Sequence, residues 1–166
     1  MKKGIRSVLL FLSVLVWGSV FCAFTSRAEG QTRIHFIAID GQQDAILLES
    51  NGHFGMVDSG EDTDFPDGSD PRYPGPSSRP EITTVGGSET TVINYLRSVG
   101  VTGLDFYIGT HSHSDHIGSA DEIIEAFSGN IGRIYLREYD DSYISDAYHL
   151  WDNQYLYDNV MAARCV

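Results

Sequence analysis

Six consecutive residues, His111-Ser112-His113-Ser114-Asp115-His116, hold three imidazoles and a carboxylate in a stretch flanked by glycine and serine. Two histidines one residue apart at the end of a strand project toward a common point, so His111 and His113 supply two nitrogen donors to one metal ion. Asp115 and His116 supply an oxygen and a nitrogen to a second ion a few ångströms away. A lone histidine is more often an ordinary surface or core residue, but four donors in six residues form a pattern that favours metal ligation. Mixed imidazole and carboxylate donors select zinc first, with manganese or iron as alternatives. A pair of such ions lowers the pKa of a shared water and polarises the bond it attacks, which makes hydrolysis the reaction class and Asp115 both ligand and catalytic carboxylate.

These donors need a strand before them and a helix after them. The run Leu104 to Gly109 reads as a buried strand, His111 to Gly118 as a turn, and Ser119 as the start of a helix that Gly129 ends, with Glu122 at capping-box spacing. Upstream, Ile34–Ile39, Ala45–Glu49 and Phe54–Asp58 read as strands, and Asn51-Gly52 between the last two is a hairpin signal. Ser88 to Val99 keeps an apolar face at helical spacing and stops at Gly100. Arg133–Arg137 is a further strand, and Ser145–Ala163 has helix-compatible spacing with Tyr148, Trp151, Tyr155 and Tyr157. The Asp-, Pro-, Gly- and Ser-rich stretch from Gly60 to Gly87 reads as a long loop. Its Asp62, Asp64, Asp67 and Asp70 do not fit the spacing of an EF-hand, so they read as a solvated, substrate-facing loop rather than a calcium site. His53 and His149 lack partner spacing and read as structural.

Composition limits the partners. The 166-residue chain carries a net charge of −12, and Lys2, Lys3, Arg6 and Arg27 lie in an apolar leader that resembles a secretion signal cleaved after Ala28. Residues 29–166 then hold 7 basic against 23 acidic residues, a balance that repels nucleic acid and suits cations. The expected location is secreted or cell-surface, with an uncleaved membrane anchor as the alternative and no stable membrane insertion if the signal is removed. Cys165 is the only cysteine after the leader, so no internal disulfide forms there.

A strand, then His-x-His-x-Asp-His, a glycine and a helix resembles the metallo-β-lactamase superfamily, and Val57-Asp58-Ser59-Gly60 resembles the aspartate-bearing strand end that accompanies it. The resemblance implies an α+β fold, the αββα sandwich of that superfamily, with only its first half present in residues 29–166. It also implies that Asp58 orients the ligand loop from behind rather than binding metal. The segments Asp44-Ala45-Ile46, Leu48 to Phe54, Met56-Val57-Asp58, Gly60-Glu61-Asp62, Asp64 to Asp70, Arg72-Tyr73 and Leu150-Trp151-Asp152-Asn153 are similar to phosphorylcholine esterase catalytic modules of the choline-binding protein E type. That likeness implies a zinc phosphodiesterase acting on a small-molecule or cell-wall phosphodiester, choline-bearing in the closest case. Trp151, Tyr155 and Tyr157 are then candidates to hold a quaternary ammonium by cation–π contact, against the plainer reading of helix packing.

Such enzymes place a further histidine, a bridging aspartate and a second histidine downstream, whereas the sequence ends at Val166. Two zinc ions are expected in the complete domain, with two side chains offered here to each. The chain therefore reads as truncated and inactive in isolation. The alternatives are hydrolysis of another ester, lactone or lactam bond, and a non-catalytic metal- or choline-binding fragment.

Overall fold

The computed structural model describes residues 30–41, 43–63, 65–73, 75, 86–143 and 153–164. The leader, Asp64, His149, Trp151 and Cys165 lie outside the described residues, so the readings attached to them end with the sequence. Met1–Gly30 and Gln31–Val166 are separate units, and the second carries all the architecture below.

Five strands, β1 (Thr32–Phe36), β2 (Ala45–Ser50), β3 (His53–Ser59), β4 (Phe106–Gly109) and β5 (Ile134–Leu136), pair in chain order as one mixed sheet. The β1–β2 and β2–β3 pairings are antiparallel, and β3–β4 and β4–β5 are parallel. Asn51 and Gly52 have φ of 53° and 83°, both left-handed, as a two-residue turn matched to strand twist requires. Parallel strands need a crossover instead. The β3–β4 crossover contains α1 (Glu89–Ser98), and the β4–β5 crossover contains α2 (Ser114–Ile117) and α3 (Ala120–Ala126). A 3₁₀ turn at Asp141–Tyr143 and α4 (Asn153–Ala163) follow.

The core lies on one face of the sheet. Leu47, Met56 and Tyr107 are register neighbours across β2, β3 and β4 and are fully buried. Val92 and Leu96 of α1, Ile123 of α3, and Leu156 and Val160 of α4 join them in one cluster. Each such side chain contributes about 1.5–3 kcal/mol through removal from water. The opposite face is also apolar, half-buried at its centre and exposed at its edges. Phe36, Ile46, Val57, Ile108 and Tyr135 form one row across all five strands. Phe36 is 77% exposed, Ile34 60% and Tyr135 49%. A cavity of about 310 Å³ on this face is lined by Ile34, Leu48, Gly55 and Phe106. A sheet hydrophobic on both faces belongs to an architecture of more than two layers.

Several boundaries differ from the sequence reading. β1 starts earlier and ends at Phe36, because its pairing with β2 runs from Thr32↔Ser50 to Phe36↔Ile46. Residues 111–118 are not wholly a turn: Ser114–Ile117 form one helical turn that buries Ile117. The expected capping box at Ser119 does not form, since the Ser119 hydroxyl donates to the Glu61 carbonyl instead.

The exposed apolar row predicts a measurable property. The double variant Ile34→Thr, Phe36→Ser should bind far less of a hydrophobic dye than the parent, with stability changed by no more than about 0.5 kcal/mol in urea unfolding. Dye binding unaltered by the two substitutions would contradict the assignment of the patch.

Candidate metal centre

Because β3 and β4 are adjacent and parallel, their C-terminal ends emerge side by side, and crevices there are where open α/β sheets hold ligands. β3 delivers Asp58 to this end and β4 delivers Thr110 and His111. Asp58 has φ of 53°, a left-handed conformation that aspartate tolerates better than most residues, and it is only 4% exposed. Its carboxylate is fully engaged by the loop after β4. Oδ1 accepts the Thr110 backbone N–H at 2.8 Å, and Oδ2 accepts the Thr110 hydroxyl at 2.7 Å. His116 Nδ1 lies 2.9 Å from the same Oδ2. A buried carboxylate needs such partners, because an unpaired buried charge is costly.

The α2 turn folds the histidines back over this aspartate. His113 caps it with an extended backbone, and its carbonyl accepts from the N–H groups of His116 and Ile117 at 3.1 and 3.0 Å. Gly118 closes the turn, where a Cβ would stand 2.6 Å from Asp62 N and 2.8 Å from Gly60 O. Only glycine fits that approach. The His111 ring centroid consequently lies 4.4 Å from that of His113 and 3.9 Å from that of His116. Burial holds the His111 pKa below its ordinary value, and the neighbouring His116 and His113 push it the same way, which favours the neutral imidazole a metal requires.

The donor chemistry suits a metal ion. With Nδ1 of His116 turned to Asp58, its Nε2 faces Asp115 Oδ2 at 3.7 Å. Two donors at about 2.0–2.2 Å from a tetrahedral ion stand roughly 3.3–3.6 Å apart, so the pair needs little adjustment. The donors are gathered in one cluster rather than in two separate pairs: His111 is nearer to His116 than to His113, and Asp115 adjoins His116. Among the described residues, the one trio with candidate ligand atoms all within 4.8 Å of each other lies elsewhere, at Asp62, Asp121 and Glu122.

Residues 38–148, which carry all of these site side chains, match the family described as the metallo-beta-lactamase superfamily. The chain belongs to the metallo-beta-lactamase superfamily. That superfamily is generally hydrolytic and usually binds zinc. The α+β architecture, a mixed five-stranded sheet with helices, is consistent with part of the metallo-beta-lactamase fold. No curated protein matches the chain. The likeness to phosphorylcholine esterases therefore has no support beyond the residues that carry it.

Two side chains at the site escaped the sequence reading. Thr110 bonds Asp58, and its hydroxyl also lies 3.0 Å from His111 Nδ1. Asp44 sits beside the ligand loop, with its N–H donating to the Asp115 carbonyl at 3.1 Å and its Oδ2 at 3.8 Å from His116 Nδ1. The aromatic candidates have other contacts. Tyr155 packs edge-on against Tyr73 at 5.4 Å and against the core. Tyr157 lies 6.4 Å from Tyr139 and lines a cavity of about 540 Å³ with Glu138, Asp140, Asp141 and Asp158. His53 pairs with Asp105 at 2.9 Å on the surface, as a structural histidine would.

The acidic loop is not uniformly solvated. Asp67 and Asp70 make local bonds to Ser69 and Arg72, whereas Asp62 is 1% exposed and meets Asp121 and Glu122. Burial, then the charges of Asp121 and Asp62, push the Glu122 pKa up to about 9 from 4.5. Between those values the folded chain holds a proton that the unfolded chain releases, so stability rises as pH falls through this window and declines toward pH 9. Glu122→Gln should flatten thermal stability between about pH 5 and 9 and stabilise the chain near neutrality by on the order of 1 kcal/mol, solvent screening included. An unchanged pH profile in the variant would contradict this assignment.

Proposed function

We propose that this chain provides the His111, His113, Asp115 and His116 donors of a two-zinc phosphodiesterase centre, exported from its cell. The observation that carries the reading is the cluster of three imidazoles, with His111 3.9 and 4.4 Å from His116 and His113 by ring centroid, in which His116 is held by Asp58 and its Nε2 lies 3.7 Å from Asp115 Oδ2. His111 and His113 hold one ion, and Asp115 and His116 hold the other. When bound, a zinc pair would activate water near neutral pH and would offset charge on the phosphoryl oxygens, which suits in-line attack at phosphorus.

The protein's own groups then have distinct tasks. Asp58 fixes the His116 ring from its far nitrogen, which sets orientation and basicity. Burial, with the neighbouring His116 and His113, lowers the His111 pKa and so favours the neutral ring whose lone pair can meet the ion. A small phosphodiester is favoured over the polyanionic phosphodiester backbone of a nucleic acid because the chain is strongly acidic. A cationic substituent such as choline is supported by the cavity that sets Tyr139 and Tyr157 among Glu138, Asp140, Asp141 and Asp158, since tyrosine faces and carboxylates both attract cations. Arg72, which also lines that cavity, is paired with Asp70 at 2.8 Å. Export is supported by the basic and apolar leader sequence.

Calorimetric titration of the chain with zinc, alongside cleavage of p-nitrophenyl phosphorylcholine, tests the reading. Binding should weaken at least about 10-fold in His111→Ala and in His113→Ala, and cleavage should require zinc and stop with chelator. Zinc affinity indifferent to both substitutions would overturn the ligand assignment. Zinc-dependent cleavage of an ester, lactone or lactam with phosphodiesters left intact would overturn the substrate class.

A further inference from the structure

Thr110 stands between the buried carboxylate and the first histidine of the loop. Its hydroxyl oxygen is 2.7 Å from Asp58 Oδ2 and 3.0 Å from His111 Nδ1. A hydroxyl has one proton to give, and a carboxylate can only accept. The proton is therefore directed to Asp58, which leaves the Thr110 oxygen able only to accept from His111. For that contact to be a hydrogen bond, His111 must carry its proton on Nδ1. Its Nε2 then presents a lone pair. The same result arises without a relay at His116, whose Nδ1 is 2.9 Å from Asp58 Oδ2 and must donate to it. Asp58 has lone pairs enough for all three contacts, the third being the Thr110 N–H on Oδ1 at 2.8 Å.

We propose that Thr110 is a positioning residue that relays the charge of Asp58 to His111, so that one carboxylate sets the tautomers of two imidazoles on different proposed zinc ions. Without the relay, His111 would divide between two tautomers, and the fraction protonated on Nε2 could not bind metal through that nitrogen. The functional consequence rests on the reading of His111 and His116 as ligands. The tautomers themselves exist in the metal-free chain and can be measured there.

Long-range proton–nitrogen correlation spectra of the metal-free, full-length chain with ¹⁵N-labelled histidine report which ring nitrogen is protonated. His111 and His116 should both be protonated on Nδ1. Thr110→Val keeps the side-chain shape and the backbone N–H but removes the hydroxyl, and should convert His111 to a mixture while His116 stays as it was. Zinc affinity should fall about 10-fold in the same variant. Thr110→Ser should restore both properties, which a purely structural role for the threonine methyl would not produce. His111 protonated on Nε2 in the parent chain, an observation that needs no variant to fold, would overturn the relay. So would an unchanged His111 pattern in Thr110→Val. Nδ1-protonated His111 in a chain that binds no zinc would uphold the relay and refute the ligand reading, so the two fail separately.

Discussion

The buried carboxylate of Asp58 is the constraint on which the functional end of this molecule depends. It sits next to the last residue of the central strand β3 in a left-handed backbone conformation, almost without solvent contact. Both features cost free energy, and they persist only because the groups around the carboxylate compensate. The compensation comes from the loop after the next strand: a backbone N–H, a hydroxyl and an imidazole. Satisfying one charge thus joins β3 to the histidine loop and orients that loop at the same time. Strain and burial of this kind, concentrated beside three imidazoles, are features of a site built for chemistry more than of a scaffold built for stability.

The sheet makes this arrangement available. An antiparallel pairing of β3 with β4 would send their C-terminal ends in opposite directions and separate Asp58 from Thr110. The parallel pairing, obtained through the α1 crossover, places Val57 beside Ile108 and carries both chains out of the sheet together. Tyr107, buried under that pairing, bonds Ser59 at 2.9 Å and ties the strand ends from below. The helices contribute the core on one face only. The apolar row from Phe36 to Tyr135 on the other face is organised as a second packing surface, in register across every strand, rather than as a scatter of exposed residues.

Features encoded within a few residues were legible in the sequence. The Asn51-Gly52 turn, the α1 helix with its stop before Gly100, and the histidine-rich loop between a strand and a helix all follow from local spacing. What depends on distant partners was not legible. Ser119 and Glu122 have the spacing of a capping box, but Glu61, 58 positions away from Ser119, claims the hydroxyl. Asp62 looks like one more aspartate of a polar loop until folding buries it against Asp121 and Glu122. Thr110 is an unremarked residue at a strand end, and its role arises only when Asp58, 52 positions earlier, comes within 2.7 Å. The individual elements were readable because alternation and helical spacing are local, and the fold class followed from the resemblance that the histidine loop carries. The second layer of the site was not, because hydrogen bonds to a ligand loop have no sequence period.

X-ray absorption at the zinc edge of the zinc-loaded chain tests the central claim most directly, because imidazole rings give a multiple-scattering pattern that carboxylates do not. Imidazole scattering is expected in the zinc spectrum, with nitrogen and oxygen donors at about 2.0–2.2 Å. A shell of oxygen donors alone, as the Asp62, Asp121 and Glu122 trio would supply, would contradict that claim.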